Sequence, residues 1–215
     1  MRYKLIKLVF LLFLIAGCNR QNENNFWFLE KDKNYNRVET RFKEYIDFFP
    51  TRGSANSIND TWSLNPHNEF NIKIVFEFDD DLFYQTLSRF KDSSIAQYES
   101  NEQCLLVLNR FGTNTNYGYP SESEINKDLI DLDCYKDLFP IPNFSNFSAY
   151  QTDRTSCKLN EDFIIYVLEA KSGEFLEKEN LTKAKYMPDQ WAHGYSKGVA
   201  INEIEKIIIY WVIIW

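Results

Sequence analysis

Histidine is scarce in this 215-residue chain, occurring only at positions 67 and 193. A His-rich metal site is therefore excluded, and neither CxxC nor HExxH is present to build a zinc site another way. Walker A and GxGxxG patterns are also missing, so the common phosphate and dinucleotide cradles are excluded. Positive charge is in short supply: 24 Lys and Arg stand against 31 Asp and Glu, a formal charge of −7. Nucleic-acid binding rewards clustered cations, and this balance argues against it. Long apolar runs are missing too. Leu8–Ala16 and Ile207–Trp215 are nine residues each, and a membrane-spanning helix needs about 20. No internal repeat is visible.

What is present begins at the N-terminus. Arg2, Lys4 and Lys7 make a basic start, the short apolar run follows, and Ile15-Ala16-Gly17-Cys18 closes it. A basic start with a short apolar run reads as a secretory signal. The closing tetrad, an aliphatic residue and two small ones before cysteine, resembles the lipobox of bacterial lipoproteins. The resemblance implies a signal peptide over 1–17, lipid (palmitate among the chains) on Cys18, and anchorage to a membrane. Several acyl chains anchor stably where one is marginal. Polar residues 18–25 then read as the lipidated cysteine and a short tether, and 26–215 as a single domain. Losing the leader's three cations takes the formal charge from −7 to −10, so anionic headgroups add nothing to the anchoring.

Apart from Cys18, three cysteines remain, at 104, 134 and 157. An exported domain permits disulfides, and three thiols allow one internal pair. Cys104 lies in the apolar run CLLVL and reads as a buried thiol. Cys134 and Cys157 lie in polar sequence and read as the pair. Aromatic residues make up 17% of the chain, which implies a core rich in Phe and Tyr or an aromatic surface for a glycan or protein.

Along the chain the hydrophobic period changes repeatedly. Val38, Phe42, Tyr45 and Phe49 form one helical face that ends at Pro50, and 51–61 read as a polar loop. Phe70, Ile72, Ile74, Phe76 and Phe78 alternate with Asn71, Lys73, Val75 and Glu77, which predicts a half-buried strand. A helix follows, capped by Asp79 or Asp80, with Leu82, Phe83, Leu87 and Phe90 on its apolar face. The run 104–111 reads as an interior strand, the stretches FGTNTNYGYPSESE and DLFPIPNFSNFSAYQ (111–124 and 137–151) as loops around one short helix near 122–130, and 163–170 as a strand with a turn at 171–173. The C-terminal stretch predicts two strands joined tightly, the last covered on both faces. The expectation is α+β: a mixed, mainly antiparallel sheet of about five strands with helices packed mostly on one face.

Three consecutive acids, Asp79–Asp81, do not have calcium-loop spacing and fit helix capping instead. The most distinctive stretch is MPDQWAHGYSKGVAI (187–201), from which Trp191, His193, Tyr195 and Lys197 form the candidate ligand or partner loop. Its two glycines around Tyr-Ser-Lys predict unusual backbone geometry. This tail, with IIIYW after it, resembles the ending of small uncharacterised lipoproteins of Bacteroidota-type Gram-negative bacteria, over roughly the third of the chain from PIPNF (140–144) onward. The resemblance implies a lipoprotein and no activity.

Taken together, these features lead us to expect a lipid-anchored cell-envelope protein with no cofactor or metal, on the outer membrane if the cell is Gram-negative, its domain periplasmic or surface-exposed. It would act as a non-catalytic binding or accessory module with a protein or glycan partner and no nucleic acid. The alternative is an envelope hydrolase working through His193 or a carboxylate pair.

Overall fold

The computed structural model describes residues 42–50, 57–65, 69–111, 133–145, 150–178 and 181–215. The chain divides into two compact units, Met1–Phe48 and Phe49–Trp215. In the first, residues 42–46 are helical, with Phe42 and Ile46 buried one turn apart. Val38, Cys18 and the predicted leader lie outside the described residues, as does the helix expected near 122–130.

The second unit is built on strands β1 (Ser57–Asn65), β2 (Glu69–Glu77), β3 (Ala96–Glu99), β4 (Ile164–Ser172), β5 (Gly194–Asn202) and β6 (Ile207–Ile214). They form one six-stranded sheet in the order β1-β2-β6-β5-β4-β3. Every pairing of neighbours is antiparallel. Among the described residues the parallel element is an isolated bridge between Val107 and Ile141. Helix α1 (Asp80–Ser93) is the one long helix described, so the content is α and β with the sheet dominant.

The cap of α1 is as the sequence predicts. The Asp79 side chain accepts a hydrogen bond from Leu82 N at 3.0 Å, and Asp80 and Asp81 fill the first turn, where acids suit the helix dipole. Phe83, Leu87 and Phe90 are buried, and Leu82 sits half-buried at the margin. The Phe90 and Tyr210 rings meet at 5.5 Å, so α1 covers the face of the sheet that carries Tyr210.

β6 lies between β2 and β5, and all of its residues are buried. Its nine-residue apolar run is thus explained: a central strand covered on both faces has no solvent side to alternate with. Tyr210 faces α1. By alternation, Ile207, Ile209, Trp211 and Ile213 face the other way, into a cluster with Leu105, Val107, Ile141, Phe144 and Phe163 from the loops. The opposite face is therefore roofed by loops.

Four expectations need correction. Part of the loop expected over 51–61 is strand: β1 begins at Ser57, and Ile58, Trp62 and Leu64 pair with Phe76, Ile72 and Phe70. Polar residues between them hide the alternation. β2 is not half-buried, because Lys73 and Val75 are both buried on the loop-covered face, with Lys73 Nζ 5.9 Å from the Phe144 ring centroid. The run from Cys104 is not a strand of the sheet. Leu105–Leu108 are buried, but among the described residues their backbone bonds outside the segment go to Ile141, through Leu108 N to Ile141 O and Ile141 N to Leu106 O, both 2.9 Å. A short apolar run reports burial, and periodicity cannot say which backbone buries it.

The fourth correction is the disulfide. Cys104 is bonded to Cys134, with their Cα atoms 6.3 Å apart, and Cys157 is a free buried thiol. Cys157 is 0% exposed, its Sγ is 3.5 Å from Ser100 O, and burial pushes its pKa up. Polar flanking residues in the sequence concealed a side chain that points into the core.

Candidate functional site

The stretch 187–201 does not form one loop. Asp189–Trp191 is a single 3-10 turn, and from Gly194 the chain is strand β5. Strand alternation then separates the four singled-out residues. Trp191 packs on the loop-covered face, where its ring meets Trp215 at 6.2 Å and its carbonyl accepts from Trp215 Nε1 at 3.0 Å. Tyr195 and Lys197 alternate onto the opposite face with Val199, which pairs with Tyr210. His193 is half-buried at the start of the strand; its carbonyl accepts from Gly173 N at 3.1 Å, and its buried Nδ1 has no hydrogen-bond partner among the described residues. The structure therefore brings Tyr195 and Lys197 together and leaves Trp191 elsewhere.

The glycines of this stretch serve packing. Neither Gly194 nor Gly198 has a positive φ. A Cβ on Gly198 would lie 2.6 Å from the Trp211 ring and 2.1 Å from Tyr166 O, and one on Gly194 would lie 2.7 Å from Lys171 O and 3.0 Å from the Trp215 ring. Each glycine pairs in register with the tryptophan beside it, so the two indoles lie across bare backbone. The same residues also spell GxSxG. Its serine, Ser196, is fully buried in mid-strand, whereas a nucleophile elbow needs an exposed strand-to-helix turn.

Around Tyr195 and Lys197 stands a cluster whose centre is Glu169. Glu169 Oε1 accepts from Tyr195 Oη at 2.6 Å and pairs with Lys171 Nζ at 2.6 Å, and Oε2 pairs with Lys197 Nζ at 3.3 Å. The Phe175 ring stands edge-on to Tyr195 at 4.7 Å. Lys171, then Tyr195, hold the Glu169 carboxyl down at about 2, and Glu169 in turn raises Lys171. Burial, then Glu169, raises Tyr195. The result is a carboxylate locked in its ionised form beside two cations.

A β-bulge creates this cluster. Val167 pairs with Gly198, yet Glu169 pairs with Lys197, so Leu168 is an extra residue in β4. Without it, Glu169 would stand opposite Ser196 on the loop-covered face. The extra residue re-aims the carboxylate to the face of Tyr195 and Lys197. Sequence reasoning missed Glu169 for that reason: simple alternation puts it on the wrong side.

A second feature lies on the Trp191 side. A hollow of about 300 Å³ is lined chiefly by Lys136, Asp137, Phe139, Ser172, Gln190 and Trp191. The Phe139 and Trp191 rings meet at 6.3 Å and 68°. Among the described residues no group of three or more His, Cys, Asp or Glu could hold a metal ion, and no helix is long and apolar enough to cross a membrane. No protein-family model, curated protein or solved structure matches the chain.

Proposed function

We propose that this chain is a lipid-anchored cell-envelope protein acting as a non-catalytic binding or accessory module. The observation that carries the reading is the allocation of its cysteines. Cys104 and Cys134 are joined to each other and Cys157 is sealed in the core. The cysteine left over is Cys18, the one that the lipobox resemblance assigns to lipid. A disulfide in the domain also suits an oxidising compartment outside the cytoplasm. The α+β class with helices gathered on one face belongs to this reading as well, supported by α1 against Tyr210.

The binding role rests on how the polar groups are used. A hydrolase working through a carboxylate or histidine needs a group poised near the working pH. Glu169 is held near 2 by Lys171 and Tyr195, which unfits it as a general acid and suits a structural lock or a fixed surface charge.

Membrane fractionation of cells expressing the full chain and its Cys18→Ser variant tests the anchor. The parent should sediment with membranes and incorporate labelled palmitate, and the variant should do neither. A Cys18→Ser chain that stays on membranes would overturn the anchor.

A further inference from the structure

The hollow beside Trp191 is separate from the Glu169 cluster, and its walls are fixed. Cys134 ties the segment before it to Cys104, Phe139 N donates to Tyr98 Oη at 2.9 Å, and Gln190 Nε2 donates to Lys136 O at 2.9 Å. The Trp191 carbonyl is fixed by the bond it accepts from Trp215 Nε1. The hollow is thus pre-formed, which lowers the ordering cost of binding.

Its size and chemistry narrow the ligand. The volume of about 300 Å³ lies at the lower limit of ligand sites, roughly 300–1,000 Å³, so it suits one small ring. Half-buried Phe139 and buried Trp191 make an angular apolar corner in the wall, and the ring surface they leave to the hollow suits C–H groups. The rest of the lining is mostly polar. With Gln190 Nε2 engaged, its Oε1 remains an acceptor, and Asp137 and Ser172 add a carboxylate and a hydroxyl. These are partners for several hydroxyl groups. The one cation of the lining, Lys136, stands between Asp133, its ion-pair partner, and Asp137, so the rim has no surplus positive charge for an anion.

We propose that this hollow binds one ring of a neutral saccharide, its C–H face on Phe139 and Trp191 and its hydroxyls on Gln190, Asp137 and Ser172. The proposal names a ligand class for the binding module above and rests on that binding reading, though not on the lipid anchor.

The test is isothermal titration of the full chain in detergent micelles with methyl glucoside, methyl galactoside, N-acetylglucosamine and, as an anionic counterpart, glucuronate. At least one neutral sugar should saturate with one site per chain and outcompete glucuronate. Gln190→Ala and Asp137→Ala, both at exposed positions, should each weaken it about tenfold, the scale of one lost hydrogen bond. Glu161→Gln, outside the hollow, should leave it unchanged, and melting curves confirm that each variant folds. No saturation by any neutral sugar, or affinity untouched in both hollow variants, overturns the proposal. A protein partner cross-linked to the chain in cells without sugar binding would also overturn it, while keeping the module reading.

Discussion

Gly198 and Glu169 show how much can rest on one residue. Gly198 exists to let Trp211 lie across β5, and a methyl group there would meet both the indole and Tyr166 O. Overpacking of this kind typically costs 1–3 kcal/mol, and with backbone as one of the obstacles we expect about 3 kcal/mol for Gly198→Ala, read from chemical denaturation. Glu169 provides a pH signature. Its folded pKa, about 2, lies below the ordinary 4.5, so the ionised form stabilises the fold above about 4.5. That contribution fades as pH falls from 4.5 toward 2. Glu169→Gln should flatten this limb of a stability-against-pH curve, and an unchanged limb would show that the cluster adds nothing to folding. Both residues were poorly legible in sequence. The two glycines stand out in the sequence, but their cause is a cross-strand tryptophan rather than a backbone angle. Glu169 was invisible because a bulge, which alternation cannot anticipate, sets its direction.

At the scale of elements, local chemistry and long-range constraint separate cleanly. β2, α1 and the β5–β6 hairpin announce themselves: β2 and α1 by a regular apolar period, β6 by an unbroken apolar run, and each is bounded by a signal such as Asp79 or the Asn202 turn. Asn202 Oδ1 accepts from Ile204 N and Glu205 N at 3.0 Å and so closes that turn. β1 and the 104–108 segment do not announce themselves. The latter is held by the Cys104–Cys134 bond, which spans 30 residues of sequence. A closed loop of that length confers roughly 3.6 kcal/mol on the chain-entropy account. Cys104→Ala with Cys134→Ala should therefore lower the melting temperature by several degrees. Cys157→Ala should leave the disulfide intact by thiol titration, and a new Cys104 thiol in that variant would refute the pairing.

For the whole molecule, the sheet order places the last strand in sequence at the middle of the sheet, joining β2 to β5. Removing Ile207–Trp215 deletes the only bridge between the β1–β2 pair and the β5–β4–β3 group among the described strands, and exposes both faces of the core. That deletion should abolish cooperative unfolding by circular dichroism. A truncated chain with a sharp transition would mean that the two groups fold independently.

The sequence alone determined what depends on local pattern and composition. Those are the acidic charge, the lipobox-like start, the capped helix, and the apolar closing strand that could only be interior. Tertiary structure decided everything that depends on residues far apart in the chain. It chose Cys134's partner, laid Trp211 and Trp215 over two glycines, split Trp191 from Tyr195 and Lys197 across the sheet, and turned Glu169 to meet them. The physical reason is that period and propensity act over one or two turns of chain. Pairing register, bulges and the packing of loops over a sheet face are settled between segments that sequence order does not bring together.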